Sequence, residues 1–405
     1  MAAAVTLRWP YSPPATRAAK LEFVAMTRLL SVLTALLLAA PAFAQVPEMR
    51  SSDAKKIAKG VGEWVQADLE NDAKARLDGR DAVQKAVDGL AKKYPGPEVY
   101  RYLDAWGAAL AERGGKFPKV KDGKLNVDDT PLGVSVAYWV PSDYKPKDGG
   151  APLVLWFRDA ALDEDAAAAI PAAIQASHAV VAIEVPNAEG EELLTGVRRN
   201  FFVGLLWLSR QMRIDRDRVY VLADSAHAEI AARMCSLSPH TVAGASIAGD
   251  PGELPAENLE LFAMNQVDGL EDAWAWLADA PARNAYPAEF SVQLTERQFG
   301  RVFWVQANNF DPALEGKPAT LSVKADRESN RIEIEAENVY QVDLFLNDQL
   351  VDLSKPITIV RNGQELEIST TAGFMTLFQN YQVMLLDTGA VYPAKYAGVD
   401  IPPKE

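Results

Sequence analysis

Cysteine and histidine are scarce in this 405-residue chain, which has one cysteine, Cys235, and three histidines, His178, His227 and His240. A single cysteine excludes an intrachain disulfide, and no Cys/His spacing suited to a metal ion exists. No phosphate-cradling glycine-rich loop is present either, so neither a cofactor nor a metal is expected. Positive charge is also short: Lys and Arg total 41 against 55 Asp and Glu, for a net charge of −14. Such a chain repels phosphate backbones and anionic membranes, which argues against nucleic acid as a partner. The acidity is also what keeps an exported protein soluble. Long apolar runs are missing too. Leu29 to Ala40 is about 12 residues, short of the roughly 20 that span a bilayer, so no membrane span is expected in the mature chain.

What is present at the start is a targeting pattern. Met26-Thr27-Arg28 is a basic opening, Leu29 to Ala40 an apolar core, and Ala42-Phe43-Ala44 a small-residue cleavage site before Gln45. Residues 1 to 44 therefore read as an upstream extension plus a secretory signal, with residues 1 to 25 preceding the signal's own Met. Their loss removes Arg8, Arg17, Lys20 and Arg28 but only one acid, Glu22, so the mature chain is more acidic still. An exported location, periplasmic or secreted, is expected.

Three regions follow. Residues 45 to 125 are rich in Ala, Lys, Asp and Leu at helical spacing, as in Val61, Trp64, Val65 and Leu69, and predict a helical domain broken at Pro95-Gly96-Pro97. From 130 to 312 short apolar runs alternate with helical stretches. Strands are predicted at Val134–Val140, Pro152–Phe157, Ala179–Val185, Val219–Leu222, Val242–Ala248 and Leu259–Met264, with helices at Ala166–Gln175 and Asn200–Met212. That alternation means βαβ units and a mostly parallel sheet flanked by helices, an α/β class. From 316 to 405 apolar and polar residues alternate, and Asn362-Gly363 is a hairpin signal, so a small antiparallel, sandwich-like β domain is expected.

The stretch VYVLADSAHAEIAARM, residues 219 to 234, runs from strand to helix with Ser225 at the joint. Three longer stretches, GVSVAYWVPSDYKPKDGGAPLVLWF, RQMRIDRDRVYVLADSAHAEIAARM and HTVAGASIAGDPGE, resemble the α/β-hydrolase superfamily, in particular secreted esterases related to polyhydroxybutyrate depolymerases and prolyl-oligopeptidase catalytic domains. The resemblance implies a nucleophile on a G-x-S-x-G turn, then an acid, then a histidine base, with backbone donors for an oxyanion. Ser225 takes the nucleophile slot. Asp268 takes the acid slot, although Asp268-Gly269 also reads as a plain turn after a strand. Ala226 and Arg158 are the oxyanion candidates.

Several parts of that machinery are missing. Ala223 and His227 stand where the elbow glycines belong, and Arg158-Asp159 stands where His-Gly opens the oxyanion loop. The base is expected on a loop near Phe290 to Arg301, and that stretch has no histidine. His178 and His240 precede strands and belong to the amino rim, away from the carboxyl ends where open parallel sheets bind ligands. His227 is on the correct rim but only two positions from Ser225, and residues two apart on a helix do not face each other. Asp163-Glu164-Asp165 and Glu189 to Glu192 read as weak calcium ligands or solvated loops. Trp274 and Trp276 read as a sugar or peptide platform or as core.

The sequence thus predicts an exported α/β-hydrolase-fold pseudoenzyme that binds an unidentified small molecule, polymer, peptide or protein. The alternative is a divergent serine hydrolase, a carboxylesterase or peptidase using Ser225. A purely structural envelope role is the third reading. N-terminal sequencing of the protein from its native cell fraction is expected to start at Gln45; an intact Met1 or Met26 would refute export by cleavage.

Overall fold

Runs that are apolar on consecutive residues need cover on both faces, and the central sheet has it. The computed structural model describes residues 49–91, 93–94, 103–131, 133–147, 149–370 and 372–404. The expected signal, its cleavage site and the Pro95-Gly96-Pro97 break lie outside them. Seven strands form the sheet: β1 (Lys124–Asp129), β2 (Ser135–Val140), β3 (Ala151–Arg158), β4 (Ala179–Glu184), β5 (Ile214–Ala223), β6 (Gly244–Ala248) and β7 (Ala263–Val267). Their spatial order is β1-β2-β4-β3-β5-β6-β7. β3 to β7 are parallel, and β1 and β2 add an antiparallel edge. Leu153, Leu155 and Phe157 of β3 share a core with Phe201, Leu205 and Leu208 of the helix Gly190–Gln211. Val154 and Trp156, the alternate residues, pack on the other face with the helices Glu164–Ala169, Ala172–Ser177 and Leu270–Trp276. Each such side chain contributes about 1.5–3 kcal/mol on burial, which makes these two faces the main stabilising term.

Local reading and tertiary outcome part in a few places. The expected helix Ala166–Gln175 is two helices, because Pro171 has no N–H to continue the first. The expected strand Leu259–Met264 is displaced. Pro255 starts a short helix, Ala256–Leu259, and the strand is Ala263–Val267. β1 carries no strand signal, with Lys, Asn and Asp in six residues and Val127 62% exposed, and forms only because β2 offers it a pairing edge.

Three helices precede the sheet: Ser51–Leu69, Ala73–Ala91 and Leu103–Glu112. The first two approach so closely that a Cβ on Gly79 would lie 2.9 Å from the Trp64 backbone. After the sheet the chain builds two β layers. One orders Ala394–Asp400, Val339–Leu346, Val305–Phe310 and Arg301–Val302. The other orders Ala313–Leu314, Lys317–Asp326, Arg331–Glu337, Ile357–Arg361 and Gln364–Ile368, with Glu289–Leu294 also paired to Lys317–Asp326. Trp304, Ile332, Ile334, Val342 and Leu344 fill the space between them. Asn362 and Gly363 make the hairpin turn with positive φ at both positions. Within otherwise antiparallel layers, Arg331–Glu337 and Ile357–Arg361 pair in parallel. The strand between them in sequence, Val339–Leu346, belongs to the opposite layer, so the chain returns in the same direction.

The tail also carries a helix, Phe374–Val383, that no alternation announced. Its Phe374 and Phe378 meet Trp106 and Trp64 edge to face, with centroids 5.3 and 5.6 Å apart, so this helix is packed against Ser51–Leu69 and Leu103–Glu112. On the other side of that contact, the Arg113 guanidinium donates to the Ser209 and Arg210 carbonyls, which closes the last turn of Gly190–Gln211.

A buried ion cluster joins these regions. Arg283 donates to both oxygens of Asp387 at 2.9 and 3.1 Å and to Asp217 at 2.9 Å. Arg216, on β5, lies 3.7 Å from Asp387 and donates to the Ser209 hydroxyl at 3.0 Å. The side chains of both arginines are 2% exposed. Burial alone pushes the Asp387 carboxyl up, but the Arg283 and Arg216 charges reverse this and hold it well below the usual carboxylate range. A depressed carboxyl stabilises the fold at pH values above the unfolded value of about 4, and that stabilisation is lost as pH falls toward the folded value. Asp387→Asn leaves Arg216 without a carboxylate and Arg283 with Asp217 alone, and should cost about 3 kcal/mol or more in denaturant unfolding at pH 7. The loss of stability below about pH 4 should be shallower in Asp387→Asn than in the wild type.

Candidate functional site

The joint that the sequence singles out forms where expected. β5 ends at Ala223, the helix Ala228–Leu237 begins five residues later, and Ser225 sits exposed between them on the carboxyl rim. Its conformation is not that of a nucleophile elbow. Such an elbow is a sharp, strained turn, whereas Ser225 is not among the residues of positive φ. Asp224 shapes the turn instead. Its Oδ1 accepts from the Ala226 N–H at 3.1 Å and the His227 N–H at 3.3 Å, and its carbonyl accepts from His227 at 3.2 Å. Asp and Asn form such side-chain turns readily and need no glycine. This accounts for the turn surviving with Ala223 and His227 in the glycine positions.

The same contact takes up the Ala226 N–H, one of the two oxyanion candidates. Arg158, the other, ends β3 with its guanidinium 4.5 Å over the Trp156 ring and a long 3.5 Å contact to the Ala161 carbonyl. The structure does not bring either of them to Ser225 as a free donor.

His227 is 5% exposed and held at both ends. Nδ1 lies 2.8 Å from Asp224 Oδ1, and Nε2 lies 2.9 Å from Asp159 Oδ1. Both ring nitrogens therefore face carboxylate oxygens rather than the Ser225 hydroxyl. The Ser225 hydroxyl makes no hydrogen bond among the described residues. Sequence reasoning placed His227 on the right rim but missed Asp159 as its partner. The available signal was that β3 and β5 both end on this rim, so residues 159 and 224 to 227 converge there.

The loop after β6 presses on the turn from the other side. Gly249 has φ +129°, and a Cβ there would lie 3.0 Å from Ser225 Cα. Asp268 follows β7 at the sheet's edge, exposed and without a hydrogen bond among the described residues. The stretch expected to hold a base begins as a strand, Glu289–Leu294, and continues as a loop to residue 300. Phe290, Val292 and Leu294 are buried in the core of the β layers. His178 and His240 precede β4 and β6, on the amino rim. Trp274 stacks edge to face on Trp156 at 5.1 Å and Trp276 on Tyr220 at 5.8 Å, which is core packing. Asp163 caps the helix Glu164–Ala169 through the Ala166 N–H, and no cluster of metal-binding side chains occurs among the described residues.

No family model and no curated protein matches the sequence. Solved structures resemble it in part. A thermostable esterase is 17% identical with a TM-score of 0.27, over 40% of this chain and 63% of that one. A putative dipeptidyl aminopeptidase IV from Bacteroides ovatus is 12% identical with a TM-score of 0.26, over 30% of this chain and 20% of its own. The apo form of esterase 2 from Thermogutta terrifontis is 15% identical with a TM-score of 0.24, over 36% and 64%. This chain therefore spans less than two thirds of each. The fold is read from the sheet itself. A mostly parallel sheet, helices on both faces and a serine on the strand-to-helix turn make an α/β-hydrolase-type fold.

The two aspartates of this rim should respond differently to substitution. Asp268→Asn, at an exposed and unpaired position, is expected to move stability by no more than about 0.5 kcal/mol. Asp224→Ala removes the acceptor for two backbone N–H groups and should cost about 1–2 kcal/mol, as loss of a helix-entry cap does. Urea midpoints of the three proteins test this, and equal losses would contradict it.

Proposed function

We propose that this protein is an exported, hydrolase-fold binding or scaffold protein that no longer uses Ser225 as a nucleophile. One observation carries the reading: the only imidazole near Ser225 among the described residues is held by two carboxylates, Asp224 and Asp159. A serine hydroxyl without a base is hardly nucleophilic. The Ala226 N–H, held by Asp224, compounds this, since removing one oxyanion donor typically costs about 10²–10³ in rate. Asp268 stands apart at the sheet edge and orients nothing. Export rests on the basic start, apolar core and small-residue site of residues 26 to 44. No helix among the described residues is long and apolar enough to cross a membrane.

The second reading keeps Ser225 alive. It is favoured by the placement of a buried His227 on the same rim, two residues from the serine. Ester or peptide bonds would be the substrate class, by analogy with the esterases and aminopeptidase it partly resembles. A fluorophosphonate probe and p-nitrophenyl ester turnover separate the two readings. Under the first, the wild type is unlabelled, and its turnover equals both background and the rate of Ser225→Ala. Labelling at Ser225, or a wild-type rate that this substitution abolishes, establishes the second.

A further inference from the structure

At the opposite end of the strands from Ser225, a cavity of about 580 Å³ lies between the parallel sheet and the β layers. Arg216 near the start of β5 lines it, and nine residues of extended chain separate Arg216 from Ser225, roughly 25–30 Å. The cavity and the strand-to-helix turn are therefore separate places. Its volume falls within the range of small-molecule sites, about 300–1,000 Å³.

Its charges do not cancel. Five cations line it, Arg198, Arg216, Arg283, Arg301 and Lys395, but only two carboxylates, Asp343 and Asp387. Lys395 pairs with Asp343 at 2.8 Å, Arg283 with Asp387 and, just outside the lining, with Asp217, each at 2.9 Å, and Arg216 with Asp387 at 3.7 Å. Arg301 and Arg198 are left with no carboxylate within ion-pair distance among the described residues. His240 supplies no counter-charge, and its buried Nδ1 has no hydrogen-bond partner. In a chain of net charge −14, a surplus of positive charge gathered in one cavity runs against the overall composition.

Arg301 is held but not neutralised. Its Nε donates to the Phe303 carbonyl at 2.7 Å, while Nη2 has the Met384 sulfur at 3.3 Å, a weak acceptor for a charged donor. The guanidinium lies 3.8 Å over the Phe345 ring and 5.8 Å from Tyr392, which fixes its plane. Burial pulls this guanidinium down to about 10, still charged at neutral pH. Arg198 lies over Phe299 at 5.2 Å, keeps a long 3.4 Å contact to Gln298, and has a buried Nε without a partner. A buried charge without a counter-ion is costly, and a planar guanidinium fork matches the two oxygens of a carboxylate.

We infer that this cavity is a binding site for a small organic acid, with its carboxylate on Arg301 and Arg198 and its apolar body among the Phe202, Phe299 and Phe345 rings. One carboxylate has two oxygens to share between two guanidinium groups, as Asp387 does with Arg283 and Arg216, and the aromatic walls favour an apolar body over a free inorganic ion. The site does not depend on whether Ser225 is catalytic.

Titration calorimetry of the mature protein with acetate, octanoate, 4-phenylbutyrate, 4-phenylbutyramide and inorganic phosphate tests this. Octanoate or 4-phenylbutyrate should bind saturably, with acetate, phosphate and the amide at least tenfold weaker. Arg301→Met should weaken the acid at least tenfold, while the ligand-free variant unfolds at no lower denaturant concentration than the wild type, because an unpaired buried charge has been removed. Should that variant fail to fold, Arg198→Met, at the more exposed position, is expected to weaken the acid at least threefold. The proposal is overturned if neither acid binds below millimolar concentration, if the amide or phosphate binds as well as the acids, or if binding survives in the folded variants.

Discussion

The packing of the tail against the parallel sheet depends on one buried carboxylate. Asp387 lies in the tail and receives Arg283 from the loop after the last helix of the parallel sheet and Arg216 from β5. The Gly389 and Ala390 N–H groups complete its shell at 2.9 and 3.1 Å. A Cβ on Gly389 would lie 2.2 Å from Asp217 Oδ1, so the tail approaches the sheet only because that residue is glycine. A buried pair offers little net stability over an apolar equivalent, but breaking one is expensive, and it fixes one geometry. Here the geometry it fixes is the placement of the β layers against the amino rim. The cavity between them follows from that placement.

The carboxyl rim is organised by a second competition for partners. In a hydrolase the turn after β5 is strained so that serine is raised and adjacent N–H groups point at substrate. Here an aspartate precedes the serine and takes two of those N–H groups itself, so the strain is relieved. Asp159 then takes the imidazole edge that a serine would need. Its side chain is 90% exposed, so this is not the core forcing a contact. Two carboxylates and one histidine satisfy one another at this rim.

Much of the fold was legible because both faces of the sheet are covered. Continuous apolar runs such as Leu153 to Phe157 announce such strands without reference to anything distant. The first half of β5 was not legible. Ile214 to Arg218 has no strand pattern, and its Arg216 and Asp217 side chains are satisfied by Asp387 and Arg283, which are far away in sequence. β1 and the helix Phe374–Val383 were hidden for the same reason, one needing the edge of β2 and the other the rings of Trp64 and Trp106. At the site, the residue types alone showed what was missing. What replaced it, the Asp224–His227–Asp159 contact, required knowing that β3 and β5 are neighbours.

The two rims therefore ask for opposite things. On the carboxyl rim, the carboxylates of Asp159 and Asp224 are satisfied by one imidazole and two backbone N–H groups, and the Ser225 hydroxyl makes no hydrogen bond among the described residues. On the amino rim, guanidinium groups outnumber the carboxylates that line the same cavity. Charge in low dielectric is the more demanding of the two conditions, since an exposed hydroxyl is content with water while a buried cation is not. The ligand site proposed above lies at those cations beside the β layers, at the far end of the strands from Ser225.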